Sequence, residues 1–232
     1  MPRKKAADEL PNFYTQLPKN LKRVYHNPEF KKHQINIPFR MIICGSSGSG
    51  KTNTFLQLIK IMKGTFNKIV ICCKSKDEPL YQLLADKIPD DMLTFYEGID
   101  AIPPVSSFEN GQKEQILICF DDLVLEKNQK VIEEYYIRGR KTSGGISSVY
   151  ISQDYFSIPT KIRRNCSYII LKRLSSLDDL KRVLREYNLG INKDTMVEIY
   201  KRATNTMENF LFIDIDAPLQ QRFRMGFTQY IN

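Results

Sequence analysis

The chain has 232 residues, 42% hydrophobic and 26% charged, a balance that matches a globular protein and excludes wholesale disorder or a fibrous repeat. Its net charge of +9 is uneven: residues 1–40 hold nine basic and three acidic side chains, residues 75–136 five and fourteen, and residues 137–202 fourteen and six. Basic stretches of this kind suit a polyanion such as nucleic acid or a solvated face, and no run of about 18 apolar residues offers a membrane span.

Met1-Pro2-Arg3-Lys4-Lys5 starts basic with no apolar run behind it, so a secretory signal is not expected. Residues 1–36 read as a polar, basic extension containing Pro11, Pro18 and Pro28, and residues 37–232 as one domain. Phe39-Arg40-Met41-Ile42-Ile43-Cys44 is an apolar run of strand length ending in a glycine-rich turn. Residues 51–63 predict a helix, with Phe55, Leu58, Ile59 and Met62 at helical spacing and Gly64 as the stop.

Lys68 to Cys73 predicts a second buried strand. Asp77-Glu78-Pro79 predicts a helix start with a cap, an acidic first turn and an early proline. Residues 93–96 read as a short strand, 100–114 as a polar loop, and 115–120 as a third core strand running into Asp121-Asp122. A helix over 129–138, strands over 147–152 and 167–171, and helices over 176–187 and 192–206 follow. Two alternating runs, 210–215 and 222–228, predict a C-terminal β-hairpin or strand pair. Apolar strands alternating with helices indicate an α/β fold, with a mostly parallel central sheet flanked by helices.

Cys44, Cys72, Cys73, Cys119 and Cys166 are odd in number, lack C-x-x-C spacing and lie in apolar, β-branched runs. Buried reduced thiols are expected, not a disulfide framework or a zinc site. His26 and His33 are too few and too isolated for a catalytic cluster.

The strongest motif is Gly45-Ser46-Ser47-Gly48-Ser49-Gly50-Lys51-Thr52, which fits G-x-x-x-x-G-K-[ST] between a buried strand and an amphipathic helix. Glycines let successive N–H groups turn inward onto oxyanions, and the helix N-terminus adds its positive dipole end. These eight residues, with the adjoining Asn53, form the expected nucleotide-binding set. Lys51 can reach the outer phosphates, and Thr52 can place its hydroxyl on Mg²⁺. Asp121 ends a predicted parallel strand and is the second expected metal ligand. Asp122 follows as the candidate that orients or polarises the attacking water.

A strand and a helix separate the phosphate-loop strand from the Asp-Asp strand, and the next strand ends on Gln153. That order suits ATPases in which an extra strand lies between the two motif strands, with Gln153 sensing the γ-phosphate. Guanine-specific marks are missing, since Asn192-Lys193-Asp194 lacks the Asn-Lys-x-Asp spacing. Arg138-Gly139-Arg140-Lys141 and Arg163-Arg164 each precede a core strand. Arg140, or else Arg163 or Arg164, is a candidate to act in trans on a neighbour's phosphates. Each cluster is equally readable as a DNA contact or a solvated patch.

Together, residues 41–52, 116–122 and 149–153 resemble the FtsK–HerA superfamily of P-loop ATPases, and within it the genome-packaging ATPases of large DNA viruses, virophages and poxviruses. Phe95-Tyr96-Glu97-Gly98, Gly139-Arg140-Lys141 ahead of a strand ending in Ser-Gln, and the β-rich tail strengthen the likeness. The resemblance implies a RecA-like P-loop NTPase using ATP and Mg²⁺. It also implies a homo-oligomeric ring, a pentamer or hexamer, that drives double-stranded DNA into a capsid at a portal vertex. A virus-associated place in the host cytoplasm, a virus factory or the virion goes with that role. One departure is Asp122, where many superfamily members have glutamate. A P-loop nucleotide kinase and a non-hydrolysing ATP-binding assembly scaffold remain the competing readings.

Overall fold

The computed structural model describes residues 11–109 and 113–231, so the basic Met1–Lys5 start lies outside the described residues. Nine strands form one sheet: β1 (Arg40–Cys44), β2 (Lys68–Cys73), β3 (Leu93–Glu97), β4 (Ile116–Asp121), β5 (Ile146–Ser152), β6 (Tyr168–Leu171), β7 (Leu211–Asp214), β8 (Phe223–Met225) and β9 (Gln229–Tyr230). Their order is β3-β2-β4-β5-β1-β6-β7-β8-β9. The first six run parallel to their neighbours, and β7, β8 and β9 join antiparallel. The α/β, mostly parallel architecture expected above is therefore present, and β5 is the extra strand between β1 and β4.

Helices cover both faces: α1 (Phe30–His33), α2 (Lys51–Ile61), α3 (Pro79–Ala85), α4 (Lys130–Arg138), α5 (Thr160–Arg163), α6 (Leu177–Glu186), α7 (Lys193–Ala203) and α8 (Leu219–Arg222). The two-residue strand period sorts each strand between two cores. Met41 and Ile43 pack with Phe55, Leu58, Tyr81 and Leu84 of α2 and α3. Ile42 and Cys44 pack with Tyr135, Leu180 and Met196 of α4, α6 and α7. Each fully buried side chain of this size stabilises by about 1.5–3 kcal/mol. All five cysteines are buried free thiols, and burial pushes Cys44 up to about 12 and Cys73 to about 11.

Three local expectations change. The start of α3 carries no side-chain cap and no acidic first turn; the Glu78 carbonyl accepts from the Tyr81 N–H at 2.8 Å instead. The 100–114 segment contains two short 3₁₀ turns and buries Ile102 and Val105, so its described part is not a purely polar loop. The run at 222–228 breaks at Gly226 (φ +64°), which returns the chain as β9, so three antiparallel strands end the sheet. The second half of the basic N-terminal stretch is docked: Ile35 and His33 are buried, and Arg224 donates to the His33 carbonyl at 2.7 Å. Among the described residues, no helix is long and apolar enough to cross a membrane.

Candidate functional site

Ligand sites in open α/β sheets form beyond the carboxyl ends of the strands, and a cleft of about 460 Å³ lies at that edge here. Four strand tips converge on it, and three of them carry the residues singled out in the sequence. Beyond β1 it is lined by Ser47, Gly48, Gly50, Lys51, Thr52 and Asn53; beyond β4 by Asp121 and Asp122; beyond β5 by Gln153.

The loop after β1 is held from behind. Ser46 N–H donates to the Arg173 carbonyl at 2.8 Å, and Gly45 N–H donates to the Ser152 carbonyl at 3.3 Å. Gly45 admits no side chain, since a Cβ there would meet Lys172 Cβ at 2.5 Å. Gly50 takes a left-handed backbone (φ +84°) and begins α2 with no side-chain cap. The first-turn N–H groups of α2 are thus left to an external acceptor, the condition under which a helix start binds anions. Ser49 is buried within the loop, and Lys51 Nζ bridges it by donating to the Ser46 carbonyl at 3.1 Å. Burial lowers the Lys51 pKa, opposed chiefly by the charge of Asp121.

Asp121 is the last residue of β4, in register with Cys73 and Ile151 on either side. Its carboxyl is pushed up to about 6, first by burial; a hydrogen bond from the Tyr81 hydroxyl opposes this and the Asp122 charge adds to it. Asp122 is exposed and has a left-handed backbone (φ +54°), a conformation aspartate tolerates better than most residues, with its N–H on the Ile151 carbonyl at 3.2 Å. Gln153 is exposed one residue past β5.

No group of three or more His, Cys, Asp or Glu side chains able to hold a metal occurs among the described residues. Thr52 and Asp121 instead share the cleft, and Asp121 has no ion-pair partner among the described residues. One hydroxyl and one carboxylate, completed by phosphate oxygens and water, form the donor set that Mg²⁺ takes.

The arginine candidates separate. Arg163 is 8% exposed and paired with Glu186 at 2.5 Å, so its guanidinium is used inside the molecule. Arg140 and Arg164 are exposed, and neither lines the cleft.

The opposite wall, absent from the sequence reading, comes from the tip of β2 and the start of α3: Cys73, Lys74, Ser75, Glu78, Leu80 and Tyr81. A sequence signal for it existed. β2 is a buried run like β1 and β4, so its carboxyl-end loop belongs at the same edge of a parallel sheet.

Residues 27–216 match the family described as Poxvirus A32 protein. The chain belongs to that family. The resemblance read from the motifs is borne out by this match. Among solved structures, the chain is similar to the genome packaging NTPase B204 from Sulfolobus turreted icosahedral virus 2 in complex with ATP-gammaS. Identity there is 15% and the TM-score 0.57, covering 84% of this chain and 99% of that one. It is also similar to EssC (ATPases 2 and 3) from Geobacillus thermodenitrificans, with 13% identity, a TM-score of 0.54, and 84% of this chain against 40% of that one covered. These likenesses establish the shared fold. No curated protein matches the chain.

Proposed function

We propose that the chain is an ATP hydrolase that drives double-stranded DNA into a preformed viral capsid. The observation that carries this reading is the cleft, where Lys51, Thr52, Asp121, Asp122 and Gln153 from three strand tips meet. Membership of the Poxvirus A32 family, and the fold shared with a genome packaging NTPase, support the viral and packaging parts.

In this reading, residues 45–53 cradle the ATP phosphates with backbone N–H groups, and Lys51 turns from the Ser46 carbonyl to the outer phosphates. Thr52 and Asp121 would hold Mg²⁺, which neutralises phosphate charge when bound with ATP. Asp122 orients the attacking water, and Gln153 senses the γ-phosphate. Arg140 is the favoured donor in trans within a homo-oligomeric ring of five or six subunits, and Arg164 is the second candidate. Arg163 is set aside because Glu186 already holds it. The basic segments 1–40 and 137–202 grip DNA phosphates, and the ring docks at the capsid or portal vertex in the infected cytoplasm or the virion.

The test is ATP turnover with and without double-stranded DNA. Turnover rises with DNA and collapses on Lys51→Ala. DNA affinity falls with salt at a log–log slope of about −0.9 per phosphate contact. Turnover indifferent to DNA overturns the translocase. Phosphate transfer to a nucleoside or nucleotide acceptor selects a kinase instead, and tight ATP binding without turnover in the assembled state selects a scaffold.

A further inference from the structure

The hydroxyl of Tyr81 donates a hydrogen bond to Asp121 Oδ2. No other hydrogen bond to that carboxylate is present among the described residues. Tyr81 is 1% exposed, and its ring packs at 5.9 Å from that of Phe95 within the core beneath α2 and α3. Packing on this scale fixes both side-chain torsions, so the hydroxyl has one place to be. Phenylalanine would fill the same space. The oxygen is what the site adds, and a buried hydroxyl is unfavourable unless bonded. It meets a carboxylate that burial would otherwise leave without a partner.

We infer that Tyr81 is the positioning residue for Asp121: it holds one carboxylate oxygen and thereby fixes the orientation in which the carboxylate meets a divalent cation arriving with the nucleotide. The inference rests on the nucleotide-site reading above. Tyr81 stands on α3, so the wall opposite the phosphate loop is tied to the metal-binding carboxylate through one hydrogen bond. A tenfold effect is within the range of a bond to an ionised acceptor.

The experiment measures ATPγS affinity of the full chain by calorimetry, once in Mg²⁺ and once in EDTA. The ratio of the two affinities reports the metal's share of binding. Tyr81→Phe should lower this ratio about tenfold while the EDTA affinity stays near wild type; melting should fall by several degrees with the protein still folded, since the buried carboxylate loses its hydrogen bond. In an Asp121→Asn background, the same substitution should change the ratio no further. A ratio preserved in Tyr81→Phe, or losses that simply add in the double variant, overturns the positioning role alone. A wild-type protein that gains nothing from Mg²⁺ overturns the nucleotide-site reading, and the role of Tyr81 with it.

Discussion

The turn at residues 139–141 and the helix Thr160–Arg163 both set basic side chains before a core strand, but they hold opposite parts of them. In the second, the side chain is fixed: Arg163 donates to the Ile158 carbonyl at 2.9 Å, to Glu186 at 2.5 Å and to Thr160 Oγ1 at 3.1 Å, and lies 4.9 Å over the Phe156 ring. In the first, the backbone is fixed: Arg23 donates to the carbonyls of Arg140 and Lys141 at 2.9 and 2.7 Å, and Gly139 is buried. The Arg140 guanidinium makes no hydrogen bond among the described residues. A residue that acts on a neighbour needs the first arrangement, with an anchored main chain and an uncommitted side chain, because the backbone is already ordered before contact.

Two substitutions should separate these turns most clearly. Arg140→Ala should lower ATP turnover of the assembled protein by about 10³-fold with stability within about 0.5 kcal/mol of wild type. Mixing it with Lys51→Ala subunits should restore part of the activity, since each supplies what the other lacks. If Arg164→Ala shows the large loss and Arg140→Ala does not, the finger is on the other turn. Arg163→Ala should instead destabilise by about 3 kcal/mol in urea denaturation, because it leaves Glu186 without its partner in a largely buried setting. A stability change below about 1 kcal/mol would remove the contrast between the two turns.

Much of the parallel half of the sheet was legible because β1, β2, β4 and β6 lie in apolar runs and α2, α4, α6 and α7 bury apolar residues at helical spacing, whereas the four-residue helices α1, α5 and α8 are too short to show a period. The phosphate loop was legible because its glycines, Lys51 and Thr52 are consecutive. Tyr81 was not, since as a ring at an apolar helix position it looks the same in sequence whether its hydroxyl meets water or Asp121. Arg163 and Arg140 were indistinguishable for the same reason: the partner that decides is Glu186 for one and Arg23 for the other, 23 and 117 residues away. The left-handed backbone of Asp122 and the break at Gly226 depend on the neighbouring strand and the turn, which no local period encodes.

Asp121 extends the comparison, since Arg163 is a charge with a partner and Asp121 is a charge without one. Its carboxyl is raised from 3.8 to about 6, chiefly by burial. Between those values the folded protein binds a proton that the unfolded chain does not, so the stability contribution of this group falls as pH rises through the window. In EDTA at pH 7.5, Asp121→Asn should therefore stabilise the protein by about 3 kcal/mol, and most of the gain should be gone near pH 4. Denaturant midpoints across that range are the measurement. A variant less stable than wild type at pH 7.5 would show that the carboxylate is better solvated or paired than its burial implies.

The smallest expected effect falls on Arg23, and it bears on how the Arg140 turn is held. Its two hydrogen bonds run to backbone carbonyls at an exposed position, where such contacts contribute about 0.5–1 kcal/mol together. Arg23→Ala should leave melting within a few degrees of wild type. If the anchored backbone is what presents Arg140, turnover of the assembled protein should still fall by about fivefold, the rate equivalent of about 1 kcal/mol. That loss should be absent when Arg23→Ala is made in an Arg140→Ala background, because the contact then has no guanidinium to position. Equal losses in both backgrounds would mean that Arg23 acts elsewhere, and that the main-chain anchor at residues 139–141 is structural only.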